Sequence, residues 1–251
     1  LSYDKLVKEF DDFKLKVDKG IIRQGEIIGI VGPNAIGKTT FVKMLSKNIE
    51  PTEGKVDFNI KVSYKPQYIS PDFNGTVRDF FEIKAQELFT SSFFKTEIFE
   101  PMKIKYLLDK KINNLSGGEL QRVAIANCLV QEADIYLLDE PSAYLDSEQR
   151  MITSRTIRRV IEKSGKSSMI VDHDVYFIDM ISDALVVFDG KPGKTGHAQG
   201  PFSLHEGMNR FLKDVDITFR RDEDTKRPRV NKPESYMDRK QRKEGEYYYT
   251  L

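Results

Sequence analysis

The chain reads Ile27-Ile28-Gly29-Ile30-Val31-Gly32-Pro33-Asn34-Ala35-Ile36-Gly37-Lys38-Thr39-Thr40 near its N-terminal end. The first five residues are a continuous apolar run, which is typical of a strand buried on both faces of a parallel sheet. Residues 32–39 then fit the phosphate-loop pattern G-x-x-x-x-G-K-[ST], and residues 38–47 have the apolar spacing of a helix. A strand, a glycine-bearing loop and a helix in this order predict an α/β fold of the P-loop NTPase type.

Residues 32–40 are the predicted ATP- or ADP-binding segment. Backbone N–H groups in such a loop form a nest for phosphate oxygens, and the positive end of the following helix strengthens it. Gly32 and Gly37 allow the tight curve and the close approach of the ligand. Lys38 is expected to reach the β- and γ-phosphates, and Thr39 to bind Mg²⁺. A glycine turn without a ligand is the plainer alternative.

A second motif reads Leu115-Ser116-Gly117-Gly118-Glu119-Leu120-Gln121. Ser116 stands where a helix N-cap belongs, and Glu119 three residues later completes a capping box. The start of this helix is therefore a second anion site. If the phosphate loop already saturates one nucleotide, residues 116–119 must bind another nucleotide. The alternative is a helix cap with no ligand.

An apolar run ends in two acids at Ile135-Tyr136-Leu137-Leu138-Asp139-Glu140. The C-terminal edge of a parallel sheet faces the ligand crevice, so both acids are expected beside the phosphate loop. Asp139 is predicted to hold Mg²⁺, directly or through water. Glu140 is predicted to polarise the water that attacks the γ-phosphate. Two solvated acids at a strand end are the alternative.

Two further polar residues come after predicted strands. Gln67 follows the strand at residues 62–64, and its amide is suited to contact both the metal and the attacking water, which would report the γ-phosphate to the next segment. His173 follows the strand at residues 168–171, and its imidazole is suited to donate to the γ-phosphate. A surface glutamine and a structural histidine are the alternatives.

Predicted strands alternate with predicted helices over most of the chain, so a parallel sheet covered on both faces is expected. Ahead of the loop, Phe13, Leu15 and Val17 alternate with lysines, which is the period of a half-buried strand. Residues 76–112 have helical spacing. Together with the helix of the second motif, they form a predicted helical insertion at about residues 76–130.

The last predicted strand is residues 184–188, and the pattern weakens after residue 200. One ATPase domain is therefore predicted for residues 1–220. Residues 221–251 are predicted to be an extended or partly helical tail without a core of its own. The N-terminus has neither an initiator methionine nor a signal peptide, which suggests a part of a longer protein.

The chain of 251 residues has a net charge of +1, so its overall field attracts no particular partner. No apolar run approaches the roughly 18 residues of a membrane-spanning helix, and no membrane contact is expected. Cys128 is the one cysteine, which excludes disulfides, cysteine-rich zinc sites and iron–sulfur clusters within the chain. A reducing, cytoplasmic location is the simplest interpretation.

Over residues 13–190 these motifs resemble the nucleotide-binding domain of ABC ATPases, with a further match at residues 142–146. The resemblance implies a mainly parallel core sheet, an N-terminal antiparallel β subdomain and a helical insertion. It also implies that two such domains pack head to tail around two ATP molecules. Ser116 and Gly118 of one domain would then cap the γ-phosphate bound by the other, and Asp146 would lie in the loop that joins the two sites.

Three segments resemble the E subfamily of ABC ATPases, the twin-ATPase ribosome-recycling factors also called RNase L inhibitor. They are residues 32–34, residues 140–146 and the tail from residue 227 to residue 249. Within the subfamily, the chain is similar to the second, C-terminal ATPase domain of an archaeal member. The resemblance implies a second ABC domain in the same protein, a ribosomal subunit as partner, and a hinge-like tail that packs the two domains together.

Some contacts stay open. Ala35 stands where the subfamily usually has glycine, and little effect is expected because the loop binds through backbone N–H groups. Adenine has three candidate stacking partners, Phe13, Phe10 and Tyr3, of which Phe13 is favoured. Several basic residues are candidates for contact with ribosomal RNA, with solvated helix faces as the alternative. They are Arg155, Arg158, Arg159, Lys240 and Arg242.

The leading hypothesis is an ATP-hydrolysing clamp that splits ribosomal subunits. One alternative is the motor subunit of an ABC membrane transporter, whose membrane segments would belong to a partner. Another is a nucleotide-gated interaction module without catalysis, which the two acids and His173 disfavour. The single domain is expected to be a weak ATPase, because its phosphate loop has no Ser-Gly-Gly motif facing it.

Overall fold

The computed structural model describes residues 1–56, 60–67, 73–89, 91–222 and 228–249, without the side chains of residues 86–89. In chain order the strands are β1 (Ser2–Tyr3), β2 (Leu6–Glu9), β3 (Lys14–Val17), β4 (Gly20–Ile21), β5 (Ile27–Val31), β6 (Val62–Lys65), β7 (Ile135–Asp139), β8 (Ser167–Val171), β9 (Ala184–Lys191), β10 (Thr195–Ser203), β11 (Phe219–Arg221), β12 (Pro228–Val230) and β13 (Tyr248–Tyr249).

The helices are α1 (Lys38–Leu45), α2 (Val77–Phe89), α3 (Ser92–Phe94), α4 (Gly117–Val130), α5 (Ser147–Ser164), α6 (Val175–Ile181), α7 (Leu204–Asp214) and α8 (Tyr236–Glu244). A π-helical segment at Lys95–Phe99 and 3₁₀ turns at Ile104–Leu107 and Ile112–Asn114 lie between α3 and α4. None of the helices in the described ranges has the length and apolar character that crossing a bilayer requires.

One sheet of eight strands organises the molecule, in the order β2-β3-β10-β9-β5-β8-β7-β6. The strands from β9 to β6 are parallel, whereas β2 pairs antiparallel with β3 and β10 pairs antiparallel with β9. Because β3 pairs parallel with β10, the N-terminal strands are continuous with the core sheet. The predicted fold class, a mainly parallel ABC-type sheet with antiparallel N-terminal strands, is confirmed.

Both faces of this sheet are covered by apolar side chains. On one face, Ile28 and Ile30 of β5 share a core with Phe41 of α1. On the other face, Ile27 and Val31 share a core with residues of α2, α4, α5, α6 and α7. This two-sided burial explains why β5 is apolar at every position apart from its glycine.

The sequence prediction was wrong about the last strand. Strand β9 extends to Lys191, and β10 returns antiparallel beside it. The buried positions of β10 include only small residues, Gly196 and Ala198, so the strand shows no apolar alternation. A register irregularity between Gln199 and Phe202 accommodates Pro201, a residue that signals a break.

Helix α7 was also not predicted, although Met208 and Leu212 on it are buried. Gly207 interrupts its pattern and reads as a helix breaker. In the fold it allows close packing, since a Cβ atom there would lie 2.6 Å from the side chain of Leu185 on β9.

The C-terminal residues form a small sheet, with β11 between β12 and β13. Strand β11 crosses the predicted boundary between residues 220 and 221. Phe219 and Tyr248 are buried in the same core cluster as α6 and α7, so the tail packs on the ATPase core. Residues 90, 223–227 and 250–251, which fall within ranges that the sequence analysis named, lie outside the described residues.

Candidate functional site

The phosphate loop joins β5 to α1. Gly32 has φ 147°, and a Cβ atom there would lie 2.6 Å from the carbonyl oxygen of Phe188, so only glycine fits. The ammonium of Lys38 donates to the carbonyl oxygens of Gly32 at 2.8 Å and Pro33 at 2.6 Å. Burial lowers the pKa of Lys38 to about 8, and nearby carboxylates limit this decrease. The loop thus curls around its own lysine.

A cleft of about 520 Å³ opens beside this loop. Its walls combine the loop with the ends of three strands, as the parallel topology requires. The lining residues are those at positions 34–40 together with Gln67, Glu140, Val171 and His173. Motifs more than one hundred residues apart in the chain therefore meet at one cleft.

Three predicted catalytic residues converge on one oxygen atom. The amide of Gln67 donates to Oε1 of Glu140 at 2.8 Å, and Nε2 of His173 lies 3.0 Å from the same oxygen. Glu140 is half-buried and has φ 50°, which is rare outside glycine. A carboxylate flanked by an amide and an imidazole is suited to orient a water molecule and accept its proton.

Asp139 is buried at the end of β7, and neither of its carboxylate oxygens has a hydrogen-bond partner among the described residues. Burial raises the pKa of this carboxyl group, and the hydroxyl of Thr39 beside it has the opposite effect. An unpartnered buried carboxylate next to a hydroxyl matches the hard oxygen ligands that Mg²⁺ prefers. The described residues contain no cluster of three metal-binding side chains.

The second motif lies apart from this cleft. Ser116 caps α4 by accepting from the backbone N–H of Glu119 at 3.3 Å, and Glu119 accepts from the N–H of Ser116 at 3.0 Å. The predicted capping box is confirmed. Ser116 and Gly117 are exposed, and neither lines the phosphate-loop cleft. Gly118 packs against the backbone of Tyr144.

Asp146 is engaged in a cap of its own. Its exposed carboxylate accepts from the backbone N–H of Gln149 at 2.8 Å and begins α5. The loop before Asp146 is held in place by Asp172, whose carboxylate accepts from the N–H of Ser142 at 2.9 Å and from its hydroxyl at 2.7 Å.

With this geometry in hand, a comparison with family models gives a match at residues 15–143 to the family described as ABC transporter. ABC transporter E family member 3 of Arabidopsis thaliana is 46% identical over 66% of the chain and 94% of its own length. The chain belongs to the E subfamily of ABC ATPases. An uncharacterised ABC transporter ATP-binding protein of Methanocaldococcus jannaschii is 53% identical over 99% of the chain and 42% of its own length. Translation initiation factor RLI1 of Saccharomyces cerevisiae is 46% identical over 99% of the chain and 41% of its own length.

A solved structure described as an archaeal ribosome recycling factor in complex with the archaeal ribosomal stalk protein aP1 is also similar. It is 56% identical with a TM-score of 0.95, over 99% of the chain and 48% of its own. The ABC domain described above thus spans about two fifths of the length of these curated relatives and about half of this solved structure.

The candidate adenine contacts of this ABC domain differ in exposure. Tyr3 is buried and packs edge-on against Phe41 at 5.4 Å between ring centroids, so it is a core residue and cannot stack on a ligand. Phe13 is half-buried and lies against Gly37 of the phosphate loop. Phe10 is exposed, with its ring 6.4 Å from that of Phe13. The favoured candidate, Phe13, is the one beside the loop.

Two residues to which the sequence analysis gave no role at the cleft contact the backbone of the site. The ammonium of Lys65 donates to the carbonyl oxygens of Asp139 at 2.7 Å and Glu140 at 3.2 Å. The amide of Gln121 donates to the same oxygen of Glu140 at 2.7 Å. The available signal was a lysine inside an otherwise uncharged strand, immediately before Pro66 and Gln67.

Proposed function

We propose that this ABC domain binds ATP with Mg²⁺ and hydrolyses the nucleotide to ADP and phosphate. The observation that carries the proposal is the convergence of Gln67, Glu140 and His173 on one side of the phosphate-loop cleft. A general base, its orienting partners and the anion-binding loop are the parts that in-line phosphoryl transfer needs.

Each part has a distinct role in the proposed reaction. The N–H groups of the loop and Lys38 bind the phosphates, and Glu140 orients the attacking water and accepts its proton. His173 is placed to donate to the γ-phosphate. Thr39, Asp139 and Gln67 would hold Mg²⁺, which neutralises phosphate charge when it is bound.

We infer that the working unit contains two ABC domains. The observation in favour is that Ser116 and Gly117 are exposed and lie outside the cleft of their own domain. A head-to-tail partner would bring its own copies of the second motif to this cleft. The relatives named above are more than twice as long as the chain, which is compatible with a second domain in the same protein.

We place this unit in the cytoplasm, as the C-terminal ATPase half of an archaeal ribosome-recycling factor that splits ribosomal subunits. Support comes from the similarity to a solved archaeal ribosome recycling factor and to a yeast translation initiation factor. ATP would close the two domains and hydrolysis would reopen them, and the tail would act as the hinge between them.

Phosphate release at increasing chain concentration tests the two-domain requirement. The dilute domain is expected to bind MgADP but to hydrolyse ATP weakly, with a rate per chain that rises as pairs form. A high rate per chain that does not depend on concentration would contradict this mechanism.

Glu140→Gln tests the role of the base and its use on the ribosome. In the full-length protein, this change is expected to keep ATP binding and to abolish repeated rounds of subunit splitting, measured by sucrose-gradient sedimentation. Asp109→Asn is the control, because it changes an exposed carboxylate of the insertion that pairs with Arg78 and does not line the cleft. Unaltered multiple-turnover splitting by Glu140→Gln would overturn the proposal.

A further inference from the structure

Lys65 is a buried cation inside the sheet. Only 1% of it is exposed, and it is among the largest fully buried side chains of the described residues. Removing an ammonium from water is costly unless it finds partners. The partners of Lys65 are two carbonyl oxygens, those of Asp139 at 2.7 Å and Glu140 at 3.2 Å.

The local topology explains why a side chain, and not a backbone N–H group of β6, donates to these two carbonyl oxygens. Strand β6 lies at the edge of the sheet and pairs parallel with β7, with Lys65 opposite Leu138. The next residue is Pro66, which has no backbone N–H and cannot continue the ladder. The Lys65 ammonium donates to the two carbonyl groups that follow Leu138 in the chain, beyond the end of the strand pairing.

The positive charge of Lys65 also offsets the negative charge of the carboxylates around it. Burial lowers its pKa to about 8, and the carboxylates of Asp139, Asp172 and Glu140 act in the opposite direction. Of these, Asp139 and Asp172 are themselves buried. A cation among them reduces the repulsion between the two buried carboxylates.

The carbonyl oxygen of Glu140 is a shared acceptor. It receives Lys65 from β6 and the buried amide of Gln121 from α4. These two contacts hold a residue whose φ of 50° is otherwise unfavourable. Because the side chain of Glu140 starts from this backbone, fixing the carbonyl also fixes the carboxylate relative to Gln67 and His173.

We propose that Lys65 is a positioning residue for ATP hydrolysis, which sets the place of the Asp139 and Glu140 carboxylates by holding their backbone carbonyl groups. The inference rests on the proposed function of this domain. Lys65 itself does not line the cleft and contacts the reaction only through these two residues.

The test uses Lys65→Met, which keeps the length of the side chain but removes its donors. Lys61→Met is the matched control, because Lys61 lies just before the same strand and pairs with Glu132 at the exposed surface. Each variant is assayed separately, in parallel with the wild-type chain, at protein concentrations that support turnover. The measurements are kcat, KM for MgATP, and amide hydrogen exchange in residues 139–146.

Lys65→Met is expected to lower kcat about 10²-fold, because small displacements of a base are costly. Its KM should change by less than about 3-fold, since the phosphate loop is intact. Exchange in residues 139–146 should become faster. Lys61→Met should match the wild-type chain. An unchanged kcat, or a KM that rises as much as kcat falls, would overturn the proposal.

A double variant separates positioning from general damage. In a Glu140→Gln background, Lys65→Met should lower the residual kcat by a smaller factor than in the wild-type chain, because only the contact with Asp139 is then left for Lys65 to act through. An equally large loss in that background would refute the inference. If Lys65→Met does not fold, Lys65→Gln, whose neutral amide group can still donate, should show a smaller fall in kcat at constant KM. A wild-type kcat for this variant would count against Lys65.

The two proposals fail in distinguishable ways. If the wild-type chain releases no phosphate from ATP at any concentration, the proposed function is wrong. If Glu140→Gln hydrolyses ATP at the wild-type rate, the role of Glu140 is wrong, and the role of Lys65 is lost with it. If Glu140→Gln is inactive while Lys65→Met is fully active, only the role assigned to Lys65 is wrong.

Discussion

Three residues around the site have left-handed backbone conformations although none is glycine: Ala35 at φ 56°, Glu140 at φ 50° and Tyr144 at φ 62°. Such a conformation costs on the order of 1–2 kcal/mol for an L-residue. It persists where surrounding contacts fix it, as Lys65 and Gln121 do for Glu140. The site therefore contains backbone strain at the base and at the phosphate loop.

Ala35→Gly should raise the free energy of unfolding by up to about 1 kcal/mol. Glycine removes the left-handed strain, which exceeds the roughly 0.4–1 kcal/mol that a more flexible unfolded chain costs. Urea denaturation measures the change. Ala143→Gly, at a loop position outside the left-handed region, should lower stability instead. A loss of stability in Ala35→Gly as large as that in Ala143→Gly would contradict the strain argument.

Asp139→Asn should separate stability from metal binding. Burial raises the folded pKa of Asp139 above its unfolded value, so its ionisation at neutral pH disfavours the folded state. The variant should be more stable than the wild type by roughly 1 kcal/mol without Mg²⁺. It should also lose most of the gain in ADP affinity that Mg²⁺ provides, measured by calorimetry. An undiminished Mg²⁺ effect would exclude Asp139 as a ligand.

At the scale of elements, the sequence predicted those whose burial leaves a clear pattern. Strands β5 and β7 could be predicted because burial on both faces requires apolar residues at consecutive positions. The start of α4 could be predicted because its capping box requires particular residue types. Strand β10 and helix α7 were missed. Their buried positions include Gly196, Ala198 and Gly207, whose small size is set by neighbours that no local pattern reveals.

Helix α6 is held by the C-terminal strands through one buried carboxylate. The hydroxyl of Tyr248 donates to Asp179 at 2.5 Å, and Arg221 donates to the same carboxylate at 2.9 Å. Asp179 and Tyr248 are both buried. Because α6 begins two residues after His173, these contacts connect the tail to the cleft.

Tyr248→Phe should lower the free energy of unfolding by about 1–3 kcal/mol. The ring still fills its place in the core, but a buried carboxylate loses a hydrogen-bond donor. Chemical denaturation measures the loss, and Tyr236→Phe, at an exposed position, is the control. Equal stability of the two variants would show that the contact with Asp179 contributes little.

At the scale of the whole molecule, the tail is part of the fold. Phe219 and Tyr248 stack at 5.7 Å between centroids and belong to the core that also contains Met208 and Leu212. The sequence suggested an appendage, because residues 221–251 are rich in charged side chains and show no apolar period. Single aromatic residues that insert into a distant core leave no such period.

Deletion of residues 218–251 should therefore prevent cooperative folding. The truncated chain would expose the apolar side chains that Phe219 and Tyr248 now cover. Circular dichroism during thermal unfolding should show a broad transition at lower temperature, and MgADP binding should weaken in parallel. A sharp transition at the wild-type temperature would show instead that residues 1–217 fold independently.

The sequence predicted that the phosphate loop, Glu140 and His173 would lie close together, because parallel strands place their C-terminal ends at one edge and the motifs follow those ends. The sequence could not show that Lys65 and Gln121 reach the backbone of Glu140. Those contacts depend on how β6 and α4 pack around β7, over separations of 75 and 19 residues.

Cys128 of α4 packs against β6, where the hydroxyl of Ser63 donates to its backbone oxygen and also lies close to its sulfur. Burial raises the pKa of its thiol to about 12, so almost no thiolate forms at neutral pH. Alkylating dyes should leave it unmodified. A cysteine introduced at exposed Asn113 would then be the single labelled position of this chain. Fluorescence energy transfer between a dye at this position and a dye on the partner domain would follow the approach of two ABC domains directly.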